Sequence, residues 1–247
     1  MRESCRLAAK TLNYIETKLE VGMSTDDVNQ LCHDFILDHG ATPSPLNYNG
    51  FPKSVCTSLN EVICHGIPSS KDILKDGDIL NIDVTTYFKK FHGDTNRTFF
   101  IGNVSKEARE LVKVTYQAMM EAIAICRPGR RLGDIGATIE KIAGEHGYSV
   151  VQEYCGHGIG REFHEEPQVL HYGKPGTGVE LKKGMTFTIE PMINMGKRHC
   201  KLLKDDWTVV TKDKSLSAQF EHTIAITDDG FEILTLEPGA PQVLSFD

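Results

Sequence analysis

Apolar positions along the chain follow two different periods, and the switch between them marks out the elements. Ala8, Leu12, Ile15 and Leu19 are spaced to share one face of a helix. Ser24 is placed to cap a second helix, with Asp27 three residues on and Val28, Leu31, Phe35 and Ile36 as the buried stripe. Ser105 caps a third, buried through Ala108, Leu111, Val112, Thr115 and Met119, and a fourth runs from Asp134 to about Glu145. Short apolar or alternating runs predict strands at 78–84, 97–101, 185–189, 220–226 and 232–236, with Gly77 and Gly184 at turns that lead into hairpins. Helices alternating with such strands predict an α+β fold, with a central, largely antiparallel sheet covered by helices on one face.

The pattern also repeats. Gly22, Asp27, His39 and Gly40 recur as Gly129, Asp134, His146 and Gly147, each 107 positions later. Val28, Cys32 and Phe35 fall opposite Ile135, Ile139 and Ile142, and the run 74–83 lies over 181–190 at the same offset, setting Asp83 over Glu190. One gapless offset serving two separate segments predicts two similar halves, near 1–104 and 105–247, within a single domain covering 1–247.

Composition narrows the class. With 247 residues the chain is long enough for a full core, and 40% hydrophobic with 25% charged residues is ordinary for a globular protein. No run approaches the roughly 20 apolar residues of a membrane span, and no apolar segment with a small-residue cleavage site opens the chain, so neither a membrane nor a secretory signal is expected. Seven cysteines without a C-x-x-C pair fit a reducing, cytoplasmic setting. A formal charge of −7 argues against a nucleic-acid surface, and the short basic stretch 126–131 does not reverse that.

The candidate chemistry lies in carboxylates set where strands should be apolar: Asp83 within 79–84, Glu190 after Phe187-Thr188-Ile189, Glu221 within 220–226, and Asp94 leading into 98–101. Any one of them alone is ordinary on the wet face of a strand. If Asp83 and Asp94 lie on two arms of one hairpin that turns at Phe88 and Lys89, they face each other about 4.5–5.5 Å apart at Cβ. Desolvated like charges need multivalent compensation, which a metal pair supplies better than the few neighbouring lysines. His157, flanked by glycines in Gly156-His157-Gly158-Ile159-Gly160, is the candidate nitrogen ligand. Four carboxylates balance two divalent ions and leave a shared water free to ionise. An oxygen-rich set without cysteine favours Mn, Fe(II), Co or Mg.

Six segments together resemble methionine aminopeptidase: 64–68 (Cys-His-Gly-Ile-Pro), 77–83, 92–94 (His-Gly-Asp), 156–160, 163–167 (Phe-His-Glu-Glu-Pro) and 187–191 (Phe-Thr-Ile-Glu-Pro). The resemblance covers essentially the whole chain and is greatest to the type I, bacterial form, for neither a zinc-binding N-terminal extension nor the type II insertion between Pro191 and Glu221 is present. It implies the pita-bread fold, two pseudo-twofold-related halves, and two divalent ions (Mn, Fe(II) or Co) held by Asp83, Asp94, His157, Glu190 and Glu221, with Asp94 and Glu221 bridging. It further implies that His65 and His164 act on the substrate, His164 at the carbonyl, and that Glu190 shuttles a proton. Tyr48, Phe51, Cys56, Phe163 and Trp207 would line the methionine side-chain pocket, and Asn60, Val62 and Ser217 would hold a monovalent cation. Pro45 stands where many bacterial relatives have a pocket cysteine.

The activity so implied is removal of the N-terminal methionine from peptides and nascent chains ahead of a small second residue. The enzyme would be a cytoplasmic monomer, with the ribosome as a candidate partner. Two alternatives carry different expectations: an Xaa-Pro aminopeptidase or prolidase, which would cut Xaa-Pro peptides, and a non-catalytic pita-bread binding protein, which would bind without hydrolysis.

Overall fold

In the computed structural model, which describes residues 1–236 and Phe246, four helices pack over strands that all pair antiparallel. The helices are α1 (Arg2–Glu16), α2 (Thr25–Asp38), α3 (Lys106–Ala124) and α4 (Leu132–Glu145). The expected central sheet is divided into ladders of four, five, three and three strands. Two buried clusters underlie them. One joins α1 and α2 to the strands around Leu80, Ile82 and Phe99, and the other joins α3 and α4 to Phe187, Ile189, Phe220 and Ile224.

Capping follows the sequence closely. Ser24 Oγ accepts from Asp27 N at 3.1 Å while Asp27 Oδ2 accepts from Ser24 N at 2.9 Å, closing a capping box on α2. Ser105 Oγ accepts from Ala108 N at the start of α3. Leu19, expected on the first helix, lies beyond it. Thr17 Oγ1 donates to Tyr14 O at 2.8 Å, satisfying one of the carbonyls left free where α1 stops, and Leu19 still packs on the core.

The first site-bearing element is a long hairpin of Ile79–Phe88 and Phe91–Phe100. Its turn differs from the expected one. Phe88 pairs with Phe91, so the turn is Lys89-Lys90, both in the left-handed region at φ 51° and 70°, as a tight two-residue hairpin turn requires. The register moves by two residues in consequence. Asp83 stands opposite Asn96 and Asp94 opposite Thr85, so the two acids are diagonal neighbours on one face, about 7–8 Å apart, rather than directly opposed. Helix α1 lies across this hairpin. Ser4 Oγ donates to Thr86 O, Thr86 Oγ1 donates to Ser4 O, and a Cβ on Gly93 would fall 2.3 Å from Cys5 N, so only glycine admits the helix beside Asp94.

The second site-bearing ladder runs Phe231–Ile233, His222–Ile226, Thr186–Ile189, Gly156–Gly158, Glu165–Val169. The strand expected over 220–226 begins only at His222, because the chain changes sheets there. Ser217–Gln219 pairs with Met192–Asn194, and Glu221 N donates to Asn96 O of the first hairpin at 3.1 Å instead of to a strand of its own sheet. The last strand is Phe231–Ile233 rather than 232–236: Leu234 N still donates to Thr223 O in the same register, and the chain turns at 234–235.

The 107-residue offset reappears in the backbone. Gly22 N donates to Leu74 O, and Gly129 N to Leu181 O; isolated bridges join Ser24 to Ile73 and Arg131 to Glu180. Gly77 N donates to Ile101 O, and Gly184 N to Ile226 O.

Candidate metal centre

The two ladders bring Asp83, Asp94, His157, Glu190 and Glu221 to the wall of one cavity of about 630 Å³. Three of the acids are held by neighbours. Asp94 Oδ1 accepts from Thr85 Oγ1 at 2.7 Å, Glu221 Oε2 from Asn96 Nδ2 at 3.0 Å, and Glu190 Oε1 from Thr188 Oγ1 at 2.6 Å. Glu190 Oε2 accepts from Gln219 Nε2 at 3.3 Å. Asp83 Oδ1 and Glu221 Oε1 are buried and have no hydrogen-bond partner.

His157 completes the set through its tautomer. Its Nδ1 lies 3.0 Å from Gly158 O, a carbonyl that can only accept, so Nδ1 carries the hydrogen and Nε2 presents a lone pair. That Nε2 stands 3.7 Å from Asp94 Oδ2 and 3.7 Å from Glu190 Oε1. Ligand atoms of Asp94, His157 and Glu221 all fall within 4.8 Å of one another. Lone pairs facing lone pairs at that spacing fit a cation between them, and the donor set fits divalent ions. The glycines around His157 have a steric cause: a Cβ on Gly156 would lie 2.5 Å from Thr188 O, and one on Gly158 2.1 Å from Glu166 O.

Without a cation the site is electrostatically uncomfortable. Burial pushes the Asp83 carboxyl up to about 7 and the Glu190 carboxyl up to about 8. Asp94 and Glu221 are driven well above the usual carboxylate range, first by burial, then Asp94 by Asp83 and Glu190, and Glu221 by Asp94, Glu190 and Asp83. Burial holds His157 down at about 4, so the ring is neutral and able to ligate. Cys56 and Cys64 border the same cavity, but burial raises both thiols well above their ordinary value, so they stay protonated and are poor ligands.

The expected substrate residues line the same cavity: Tyr48, Phe51, Cys56, His65, Phe163, His164 and Trp207, with Pro45 beside them. Phe51 meets Trp207 edge-on at 5.1 Å, and His65 stands between Trp207 and Tyr154. Asn60, Val62 and Ser217 lie apart from that wall. Ser217 N donates to Asn60 O, and Ser217 Oγ is buried without a partner.

Sequence reasoning missed the residues that hold the acids. Thr85, Asn96, Thr188 and Gln219 each lie two positions from Asp83, Asp94, Glu190 or Glu221, which is the same-face spacing of a strand. It also missed His171, fully buried, whose Nε2 accepts from Glu190 N at 3.1 Å. Nothing in the local pattern around His171 distinguished it from a loop histidine.

The profile of metallopeptidase family M24 matches residues 1–228. A methionine aminopeptidase of Rickettsia prowazekii (strain Madrid E) is 56% identical over 239 residues, covering 96% of this chain and 92% of that protein. A crystal structure of methionine aminopeptidase from the same species superposes with a TM-score of 0.94 at 55% identity, covering 95% of both chains. The prolidase from Pyrococcus furiosus has a TM-score of 0.72 at 22% identity and covers 96% of this chain but 63% of its own, a likeness of fold alone.

Proposed function

The chain belongs to metallopeptidase family M24, among its methionine aminopeptidases, and on that premise we propose how its site works. It is a metal-dependent hydrolase of the pita-bread fold that removes the N-terminal methionine of peptides and nascent proteins. Asp83, Asp94, His157, Glu190 and Glu221 would hold two divalent ions. The observation that carries this reading is the bare Nε2 of His157 facing two carboxylate oxygens at 3.7 Å, beside two orphaned buried acid oxygens. Oxygen-rich ligation with one imidazole suits Mn, Fe(II) or Co. Bound divalent ions supply Lewis acidity: they lower the pKa of water and polarise a carbonyl oxygen.

The chain's own residues do the rest. Tyr48, Phe51, Cys56, Phe163 and Trp207 enclose an unbranched thioether and offer aromatic edges to its sulfur. His164 donates Nε2–H to the carbonyl oxygen of the N-terminal methionine and stabilises the charge that builds there. His65 contacts the scissile region from the opposite wall. Glu190 receives the proton released at attack and returns it to the leaving amine. A small second residue is favoured. The Lys- and Arg-poor balance of a chain at −7 leaves no nucleic-acid role of its own, though ribosome-borne nascent chains are its natural substrates. No helix among the described residues is long and apolar enough to cross a membrane, and we place the enzyme in the cytoplasm as a monomer and a single catalytic unit, its halves meeting near residue 104. Asn60, Val62 and Ser217 would hold a monovalent cation, a role that the orphaned Ser217 Oγ supports.

The test is methionine release from Met-Ala-Ser, with an Xaa-Pro peptide in parallel, after chelation and titration with Mn, Fe(II), Co and Zn. Activity on Met-Ala-Ser alone, restored near two equivalents of metal, is expected. Cleavage of only the Xaa-Pro peptide, or hydrolysis indifferent to chelation, would overturn the reading.

A further inference from the structure

His164 reaches the cavity on the 159–164 loop, and one hydrogen bond ties it to the other half of the chain. Its Nδ1 lies 2.9 Å from the Tyr48 hydroxyl, a partner 116 residues earlier in sequence. The ring is also stacked on Phe163, with centroids 4.2 Å apart, and lies 4.2 Å from the ring of His157. Tyr48 itself is tightly held. Its N donates to Pro45 O and its carbonyl accepts from Phe51 N, while Asn47 N closes the loop on Phe51 O. Asn47 and Asn49 on either side take left-handed backbone at φ 67° and 48°. A loop built in this way fixes the phenol rather than letting it follow the imidazole.

The pairing has a direction. A phenol is the better donor and a neutral imidazole nitrogen the better acceptor, so the Tyr48 O–H donates to Nδ1. The single ring hydrogen is then on Nε2. Only that tautomer can donate to a carbonyl oxygen; the opposite one would present a lone pair to the developing negative charge and repel it.

We propose that Tyr48, beyond lining the methionine pocket, is a positioning residue for the reaction: its hydroxyl holds His164 in the Nε2–H tautomer and aims it at the substrate carbonyl. This rests on the role given to His164 above. Pocket shape and hydrogen bonding are separable at Tyr48, since Tyr48→Phe keeps the ring and removes only the donor.

The experiment combines ¹⁵N-histidine NMR of the Zn²⁺-loaded protein with kinetics of the Mn²⁺-loaded protein on Met-Ala-Ser. Wild type should show His164 as the Nε2–H tautomer, and Tyr48→Phe should shift it toward Nδ1–H with metal content and Tm unchanged. Tyr48→Phe should lower kcat by about 10- to 100-fold, as loss of an orienting partner does, with KM within roughly twofold. In a His164→Ala background the same change should cost nothing further. An Nδ1–H tautomer in wild type, a purely KM effect, or an equal kcat loss in both backgrounds would overturn the proposal. If His164→Ala itself retained wild-type kcat, the catalytic reading of His164 would fall first, and the positioning role with it; the NMR result tells the two failures apart.

Discussion

The two halves of the chain build nearly the same frame and hang different side chains on it. In the first half the inner strands meet at the two-residue Lys89-Lys90 turn. In the second, Thr186–Ile189 pairs with His222–Ile226 across an intervening stretch that contributes Met192, Trp207 and Gln219 to the cavity. Ile101 N bonds Asp78 O and Ile226 N bonds Met185 O, so residue 226 stands where 101 does. By that correspondence Asp83 matches Glu190, Asp94 matches Gln219, Asn96 matches Glu221 and Thr98 matches Thr223. The matched threonines brace the halves reciprocally. Thr98 Oγ1 donates to Gln219 O and accepts from Gln219 N, while Thr223 Oγ1 donates to Asp94 O and accepts from Asp94 N. A symmetric frame therefore carries an asymmetric charge: each half gives two acids, of which Asp83 and Glu190 are matched while Asp94 and Glu221 are not, and His157 stands where Ser58 does, since Gly158 pairs with Phe187 as Leu59 pairs with Leu80.

The strongest way to break that comparison is to exchange the matched pair in turn. Asp94→Asn keeps the shape and removes the charge; it should abolish metal binding at both sites and reduce turnover to background. Gln219→Ala, at the matching position, should keep both metals, because its amide only steadies Glu190 at 3.3 Å, and should lower kcat by no more than about tenfold. Metal content by elemental analysis and Met-Ala-Ser kinetics read both. Full activity with bound metal in Asp94→Asn would remove the bridging role, and equal losses at the two positions would remove the asymmetry.

A second prediction concerns pH. The unfolded chain loses its carboxyl protons near pH 4, while the folded, metal-free site keeps those of Asp83 and Glu190 to about 7 and 8. Between those limits the unfolded state binds fewer protons at these two acids, so they take stability from the metal-free protein as pH rises. His65, His157, His171 and His222, kept neutral by burial, act the other way below about pH 6.5. Divalent ions favour the charged acids, and the rise in Tm on adding Mn²⁺ should be greater at pH 8 than at pH 5. Asp83→Asn and Glu190→Gln should each flatten the metal-free slope, one acid from each half. Thermal scans in chelator and in Mn²⁺ check this; an unchanged metal-free slope in both variants would contradict it.

How much of this was legible depends on whether the cause is local. Asp83, Asp94, Glu190 and Glu221 could be read because an acid inside an apolar strand is a local anomaly, and the helix starts at Ser24 and Ser105 because a cap is three residues long. The hairpin register could not be: Lys89-Lys90 adopts a turn usually marked by Asn-Gly, and no glycine announces it. Thr85, Asn96, Thr188 and Gln219 were readable in principle, as polar residues on the same strand face as an acid. Their importance shows only once the acids are known to be buried. The sheet change at Phe220 and Glu221 is a tertiary event, set by Asn96 from the far half. The methionine pocket came from the family resemblance alone, since an aromatic residue in a loop has no pattern that separates it from ordinary core.

The smallest expected effect separates frame from chemistry. Helices α2 and α4 occupy matching positions, yet only α2 has a side-chain cap, Ser24; at α4 the position is Arg131, whose N is held by Asp134 Oδ2 at 2.9 Å while its guanidinium reaches Gly178 O. Ser24→Ala removes the acceptor for Asp27 N and should cost about 1 kcal/mol, a fall in Tm of about 2–4 °C for a chain of this size. Arg131→Ala has no cap to lose, only the exposed bond to Gly178 O and a weak 3.4 Å pair with Glu180, so it should cost under about 1 kcal/mol. Neither should change kcat/KM, because Asp94, Glu190 and Glu221 are fixed by Thr85, Asn96, Thr188 and Gln219 on the sheets. If Ser24→Ala lowered activity at temperatures where the protein stays folded, the first-half helices would have to be counted as part of the site, and the division between a shared frame and a local charge would not stand.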